Sequence, residues 1–277
     1  MPLIIAATDF SAVADNAVNY ACDLATTRGA DVLVTHSYVF PVMFSDLPLP
    51  ASLITEAQTD AEDHMRRLTA QLQAAYPQIK IKGQVDYGDI INTLSDYGKE
   101  NKTPWLIVIG NSVAGEKATW PENTLVDALK KLKYPVLAVP PAATYQPVKN
   151  ICFAFDNRHK DNDNALTQLT AIVSGLGASL HVLHAQPDPA NSGGAVEIDG
   201  RAKELLGAVD TVYHVVHETN IDDSIQEFIS GSNIDWLVLL PRKHSFFEGL
   251  FHKSHTKAIA HHAQIPILAL HETPADA

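Results

Sequence analysis

A chain of 277 residues with 46% hydrophobic and 19% charged side chains is long enough for one large domain or two of about 140, and reads as globular. Its formal net charge of -12 excludes a general affinity for nucleic acid, so any anion site has to be local. Cys22 and Cys152 stand in apolar contexts and give neither a disulfide framework nor a CxxC metal pair. The start, MPLIIAATDF, has no basic region and meets Asp9 too early for a secretory core, and no apolar run reaches the roughly 18 residues needed to cross a bilayer. A cytoplasmic protein with neither membrane nor nucleic acid as partner is expected.

From the amino end, the apolar run at 3–7 is the first predicted buried strand. Ser11 then precedes AVADNAVNYACDLATTRGA, where Ala14, Ala17, Val18, Ala21, Leu24 and Ala25 share one helical face and Gly29 follows as a C-cap. A second strand at 32–36 leads into FPVMFSDLPLPASLITE. Its apolar residues Phe40, Met43, Phe44 and Leu47 lie among prolines, which suits a lid over a cleft, a cover for a neighbouring domain, or a simple packing loop. Strands follow at 80–86, 105–109 and 135–139, and PAATYQPVK (141–149) reads as a linker.

The pattern then begins again. KNICFAFDN (149–157) lies over PLIIAATDF (2–10) at an offset of 147, and ASLHVLHAQ over ADVLVTHSY at 148. WLVLLP (236–241) lies over WLIVIG (105–110), and IPILALH over YPVLAVP, both at 131. The second copy is therefore 17 residues shorter between its second and fourth strands. DNALTQLTAIVSGLGA supplies its first helix, with Leu166, Leu169, Ile172 and Val173 at helical spacing. Strands alternating with helices imply two doubly wound parallel sheets related by internal duplication, in domains 1–145 and 146–277.

Ligands of open parallel sheets bind beyond the carboxyl ends of the strands, where the winding reverses. That rule selects Thr8, Asp9, His36, Ser37 and Gly110 in the first copy, and Phe155, Asp156 and Pro241 in the second.

TDFS after the first strand, a strand ending in His, Gly88-Asp89 before a helix, and a Gly-bearing loop leading to a helix and PVL together resemble the universal stress proteins. The resemblance covers nearly the whole chain twice, as in tandem members of that family. It implies two tandem doubly wound parallel five-stranded sheets of the adenine nucleotide alpha hydrolase-like fold. It also implies that the last strands, Pro135–Val139 and Pro266–Leu270, pair with each other as a pseudo-dimer; whether two chains associate further, as a homodimer, stays open. ATP-binding relatives share a loop G-x-x-G, nine residues, then G followed by Ser or Thr. The first copy reads Gly110, Val113, Asn123 and Thr124 there, one glycine of three; the second reads Pro241, His244, Ser254 and His255. By resemblance Asp9 sits beside an adenosine, although an Asp before a helix also caps free N–H groups; Asp156 leans toward the capping role. ATP is thus a candidate cofactor of domain 1 only.

The stretch PRKHSFFEGLFHKSHTKAIAHH (241–262) gathers nine basic or titratable side chains against one acid, Glu248. One reading lets Arg242 and its neighbours, with Ser254, hold an anionic ligand in place of lost backbone donors. A second makes His252, His255 and His262 metal ligands, although no nearby Cys or acid completes a set. The third, and plainest, is a solvated basic helix packed through Phe251, Ala258 and Ile259. His181, His184, His214 and His217, on or near predicted strands, are read as satisfied core or surface histidines.

No GxSxG, HExxH, GxGxxG or Walker lysine loop is present, and no catalytic set follows from spacing. The reading is a stress-response binding or regulatory module, not a dedicated catalyst, with partner proteins unspecified. An ATP-binding sensor, a slow ATPase, and an anion or metal site at 241–262 are the alternatives.

Overall fold

The computed structural model describes residues 1–39, 51–100, 103–111, 120, 124–155, 163–186, 200–217, 227–241 and 265–271. They fall into two compact units, Met1–Tyr145 and Gln146–Ala277.

In unit 1 the apolar run LIIAA forms β1 (Leu3–Ala7), and the chain turns at Phe10 into α1 (Ala12–Arg28). Ser11 caps this helix, its hydroxyl accepting from the Ala14 N–H at 3.3 Å, and Gly29 ends it in the left-handed conformation with φ 66°. There follow β2 (Asp31–Tyr38), α2 (Ala51–Ala75), β3 (Ile81–Tyr87), α3 (Ile90–Glu100), β4 (Leu106–Gly110), α4 (Thr124–Lys131) and β5 (Val136–Val139). All strand pairings within the unit are parallel, in the order β3-β2-β1-β4-β5. The winding runs from β1 outward through β2 and β3, then restarts at β4 on the other flank. The reversal lies between β1 and β4, and the carboxyl ends of those strands frame it.

Unit 2 repeats the scheme with β6 (Asn150–Phe155), α5 (Asp163–Leu176), β7 (Ser179–Gln186), α6 (Gly200–Leu206), β8 (Thr211–His217), β9 (Trp236–Leu239) and β10 (Ile267–Ala269). Its parallel order is β8-β7-β6-β9-β10. The core of each unit is made by its central strands: Ile4, Ile5, Leu106, Ile107 and Leu137 in the first, Ile151, Phe153, Phe155 and Trp236 in the second, all fully buried. The expected pair of doubly wound parallel sheets is therefore what the chain forms.

Residues 51–56 (ASLITE) form the first turns of α2, the helix that follows FPVMFSDLPLP, and 40–50 lie outside the described residues. One expectation changes: the stretch after β5 is not a free linker. The Asn16 side-chain amide donates to the Pro140 and Ala143 carbonyls, both at 3.0 Å, and the Tyr145 ring meets Tyr20 edge-on at 5.2 Å. Ala143 and Val148 are buried.

The units differ in how they cover their outer strands. In unit 1 the 25 residues of α2 lie so close over β3 that a Cβ on Gly83 would stand 2.6 Å from Met65 Cγ. In unit 2 the outer strand β8 has Val212, Tyr213 and Val215 exposed.

Candidate functional site

At the reversal in unit 1, polar residues are buried where a sheet core would otherwise be apolar: Thr8, Asp9, Thr35, His36, Ser37 and Asn111. Buried polar groups need hydrogen bonds to avoid a desolvation cost, and much of this cluster supplies them internally. Thr8 Oγ1 accepts from the Phe10 N–H and Asp9 Oδ1 from the Ser11 N–H, both at 3.0 Å. These two contacts hold the bend between β1 and α1, in which Phe10 takes φ 61°, unusual for a residue with a bulky side chain. Asp9 thus makes the turn contact open to a carboxylate just before a helix, to the N–H of the capping residue Ser11.

His36, at the end of β2, donates from Nδ1 to the Thr8 carbonyl at 2.8 Å, because a carbonyl can only accept. Burial lowers its pKa from the ordinary 6.5, outweighing the opposing pull of that hydrogen bond and of Asp9, so the ring is neutral at physiological pH. Burial and the nearby Asp9 carboxylate together raise the pKa of Asp15, in the first turn of α1, above its ordinary 3.8.

Aromatic rings cover the cluster. Phe10 lies 4.4 Å from the His36 ring and 5.4 Å from His64 of α2. Trp120 lies nearly parallel to His36, 6.3 Å away with 13° between planes. The Trp120 indole N–H donates to the Ser37 carbonyl at 3.3 Å, while the Ser37 hydroxyl turns away to Thr93 of α3 at 3.0 Å.

Gly110 ends β4 against α1: a Cβ there would be 3.0 Å from both Val13 Cγ1 and the Val13 carbonyl oxygen. Its φ is not in the left-handed range. Close packing, not turn geometry, favours glycine at this position. Asn111 follows, its N–H bound to the Val139 carbonyl at 2.8 Å, and Thr124 is buried at the start of α4.

The structure therefore brings Thr8, Asp9, Ser37 and Gly110 to the strand ends, with Thr124 opening the helix after β4. Asn123, Asp156, Arg242 and Ser254 lie outside the described residues, as does 242–262. Sequence reasoning missed Trp120, Phe10 and Asn111. The signal for Trp120 was a lone tryptophan in a polar stretch between two elements; for Asn111, adjacency to the strand end. In unit 2, Phe155 stands where unit 1 has Thr8, packed 6.3 Å from His184, and Pro241, which has no N–H, stands where unit 1 has Gly110. His181 Nδ1 and His214 Nε2 are 3.1 Å apart and the rings stack, so these histidines partner each other. Among the described residues no three metal-type ligands come together, and no described helix is long and apolar enough to cross a membrane.

A doubly wound parallel sheet with its polar groups gathered at the reversal defines a class of α/β proteins that place ligands beyond their strand ends. The family is more specific: the universal stress protein family model matches residues 2–140 and again 147–271, and the chain belongs to that family as a tandem, two-copy member. Among solved structures it is similar to a universal stress protein from Archaeoglobus fulgidus DSM 4304, at 16% identity and TM-score 0.67, covering 99% of this chain and 97% of that one. It is also similar to a Pseudomonas aeruginosa UCBPP-PA14 protein described as a universal stress protein, at 14% identity and TM-score 0.51, covering 98% and 93%. At such identities the likeness speaks for the fold alone. No curated protein matches the sequence.

Proposed function

We propose that the chain is a binding and regulatory module of the stress response, in which unit 1 keeps a degenerate nucleotide cleft and unit 2 has lost it. The observation that carries this reading is the buried polar cluster Thr8, Asp9, His36, Ser37 and Asn111, drawn from the ends of three strands at the reversal. Packing a sheet does not call for those groups, since each costs free energy to desolvate. The family resemblance supplies the ligand class: of the ATP-binding loop pattern, unit 1 retains Gly110 and Thr124. Phe155 and Pro241 weigh against a site in unit 2, because one fills the strand end with an apolar ring and the other removes a backbone donor. Two copies in one chain allow the pairing typical of the family to be met without a second molecule.

Isothermal titration with ATP tests the reading. Saturable binding to the wild type, weakened at least about tenfold in Asp9→Ala, is the expected result, with Asp9→Asn separating charge from the hydrogen bond to Ser11. Titration that never saturates up to about 10 mM ATP refutes it.

A further inference from the structure

Alternate residues of β2 face opposite neighbours. The Asp31 N–H bonds to the Pro2 carbonyl and the Thr35 carbonyl receives the Thr8 N–H, so odd-numbered residues face β1. The Val32 N–H bonds to the Lys80 carbonyl and the Tyr38 carbonyl receives the Gly88 N–H, so even-numbered ones face β3. The Ser37 carbonyl therefore points to the side of β1, two residues beyond the last rung there, where β1 has already bent away at Phe10. A ladder acceptor without its strand is an open hydrogen-bonding position at the edge of the cleft. The group found on it is the Trp120 indole N–H, 83 residues distant in sequence, on a ring set nearly parallel to the buried, neutral imidazole of His36.

A flat heteroaromatic ring, one N–H donor, an orphaned strand carbonyl and a flanking ring are the contacts by which a cleft of this kind would hold a planar ligand. From this geometry we infer that Trp120 occupies, from within the chain, the place of a planar heteroaromatic ligand that carries an N–H donor, and that such a ligand enters only by displacing the indole. The inference rests on the reading of unit 1 as a ligand cleft and adds a self-occupied state to it. Ligand affinity is then reduced by the fraction of molecules in which Trp120 stands aside, and removing the side chain abolishes that competition.

The test compares wild type, Trp120→Phe and Trp120→Ala, each first shown to be folded by its thermal transition, in titrations with adenosine, indole and N-methylindole. Trp120→Ala is expected to bind adenosine at least about tenfold more tightly than wild type, with Trp120→Phe, which keeps a ring but no donor, between them. Indole is expected to bind Trp120→Ala but not wild type, and N-methylindole to bind it more weakly for want of the donor. Indole binding without any adenosine or ATP binding upholds the role of Trp120 and discards the nucleotide reading. No gain for adenosine or indole on removing Trp120, or equal affinity for indole and N-methylindole, overturns the inference even if ATP binds the wild type.

Discussion

Replacing Gly110 by alanine separates two reasons for a glycine at the end of β4. The added Cβ would stand 3.0 Å from Val13 Cγ1, 3.0 Å from the Val13 carbonyl oxygen and 3.1 Å from its carbonyl carbon. Cγ1 can rotate away, but the carbonyl belongs to the first turn of α1 and moves only with the helix. Overpacking of this kind costs about 1–3 kcal/mol, which lowers the folding equilibrium constant about 5- to 150-fold. For a unit of this size the thermal midpoint should fall by roughly 2–12 °C. Following the transition by tryptophan fluorescence and circular dichroism, with Val13→Ala as a partner in a double-mutant cycle, isolates the contact. Val13→Ala should recover only the side-chain part of the loss. Full recovery would place the clash on Cγ1 alone, and a Gly110→Ala protein as stable as wild type would refute the close-approach argument altogether.

Asp89 Oδ1 accepts from the Ile91 and Asn92 N–H groups at 3.0 and 3.1 Å at the start of α3; Asp89→Ala should cost about 0.5–2 kcal/mol in urea denaturation, with Asp89→Asn recovering most of it. An alanine variant as stable as wild type contradicts that capping role. The folded-state pKa of His36 is lowered, so the unfolded chain binds the proton more readily and stability should decline as the pH falls through 6.5. Accordingly the stability difference between wild type and His36→Asn should shift against the wild type on going from about pH 8 to about pH 5, and a difference independent of pH sinks the assignment. Burial pushes the Cys22 and Cys152 thiols up to about 12, leaving them overwhelmingly protonated at pH 8. Neither should react with a thiol reagent until the protein is unfolded; rapid labelling of the native state would be the contrary result.

The elements were legible where one local pattern decides them. The Ser11 and Gly29 caps bound α1 as expected, because cap chemistry is set within a turn of the helix end. Strand ends could be placed from apolar runs, and the rule that ligands sit beyond carboxyl ends pointed to Thr8, Asp9, Ser37 and Gly110 without knowledge of any contact. The strand order that puts the reversal between β1 and β4 came from the structure. What the sequence did not disclose arises between distant residues. Trp120 reaches Ser37 only because the chain returns to the reversal from β4, and no periodicity marks that stretch. The left-handed bend at Phe10 is likewise imposed by the bonds from Thr8 and Asp9 and by ring packing, against the preference of its own side chain. Gly110 could be placed at a strand end and in the loop pattern, but its immediate neighbour, the α1 backbone at Val13, is a contact that depends on the packing of helix against strand.

The position of β1 in the middle of its sheet has a consequence for synthesis on the ribosome. One flank can be paired early by β2, but the other waits for Leu106–Val108, and the clasp from Asn16 waits for Pro140 and Ala143. At about 5–20 residues per second, the nascent chain passes about 5–20 s with an apolar ribbon open along one side. Chaperone demand should concentrate in that interval, and it should recur when β6 emerges and awaits β9.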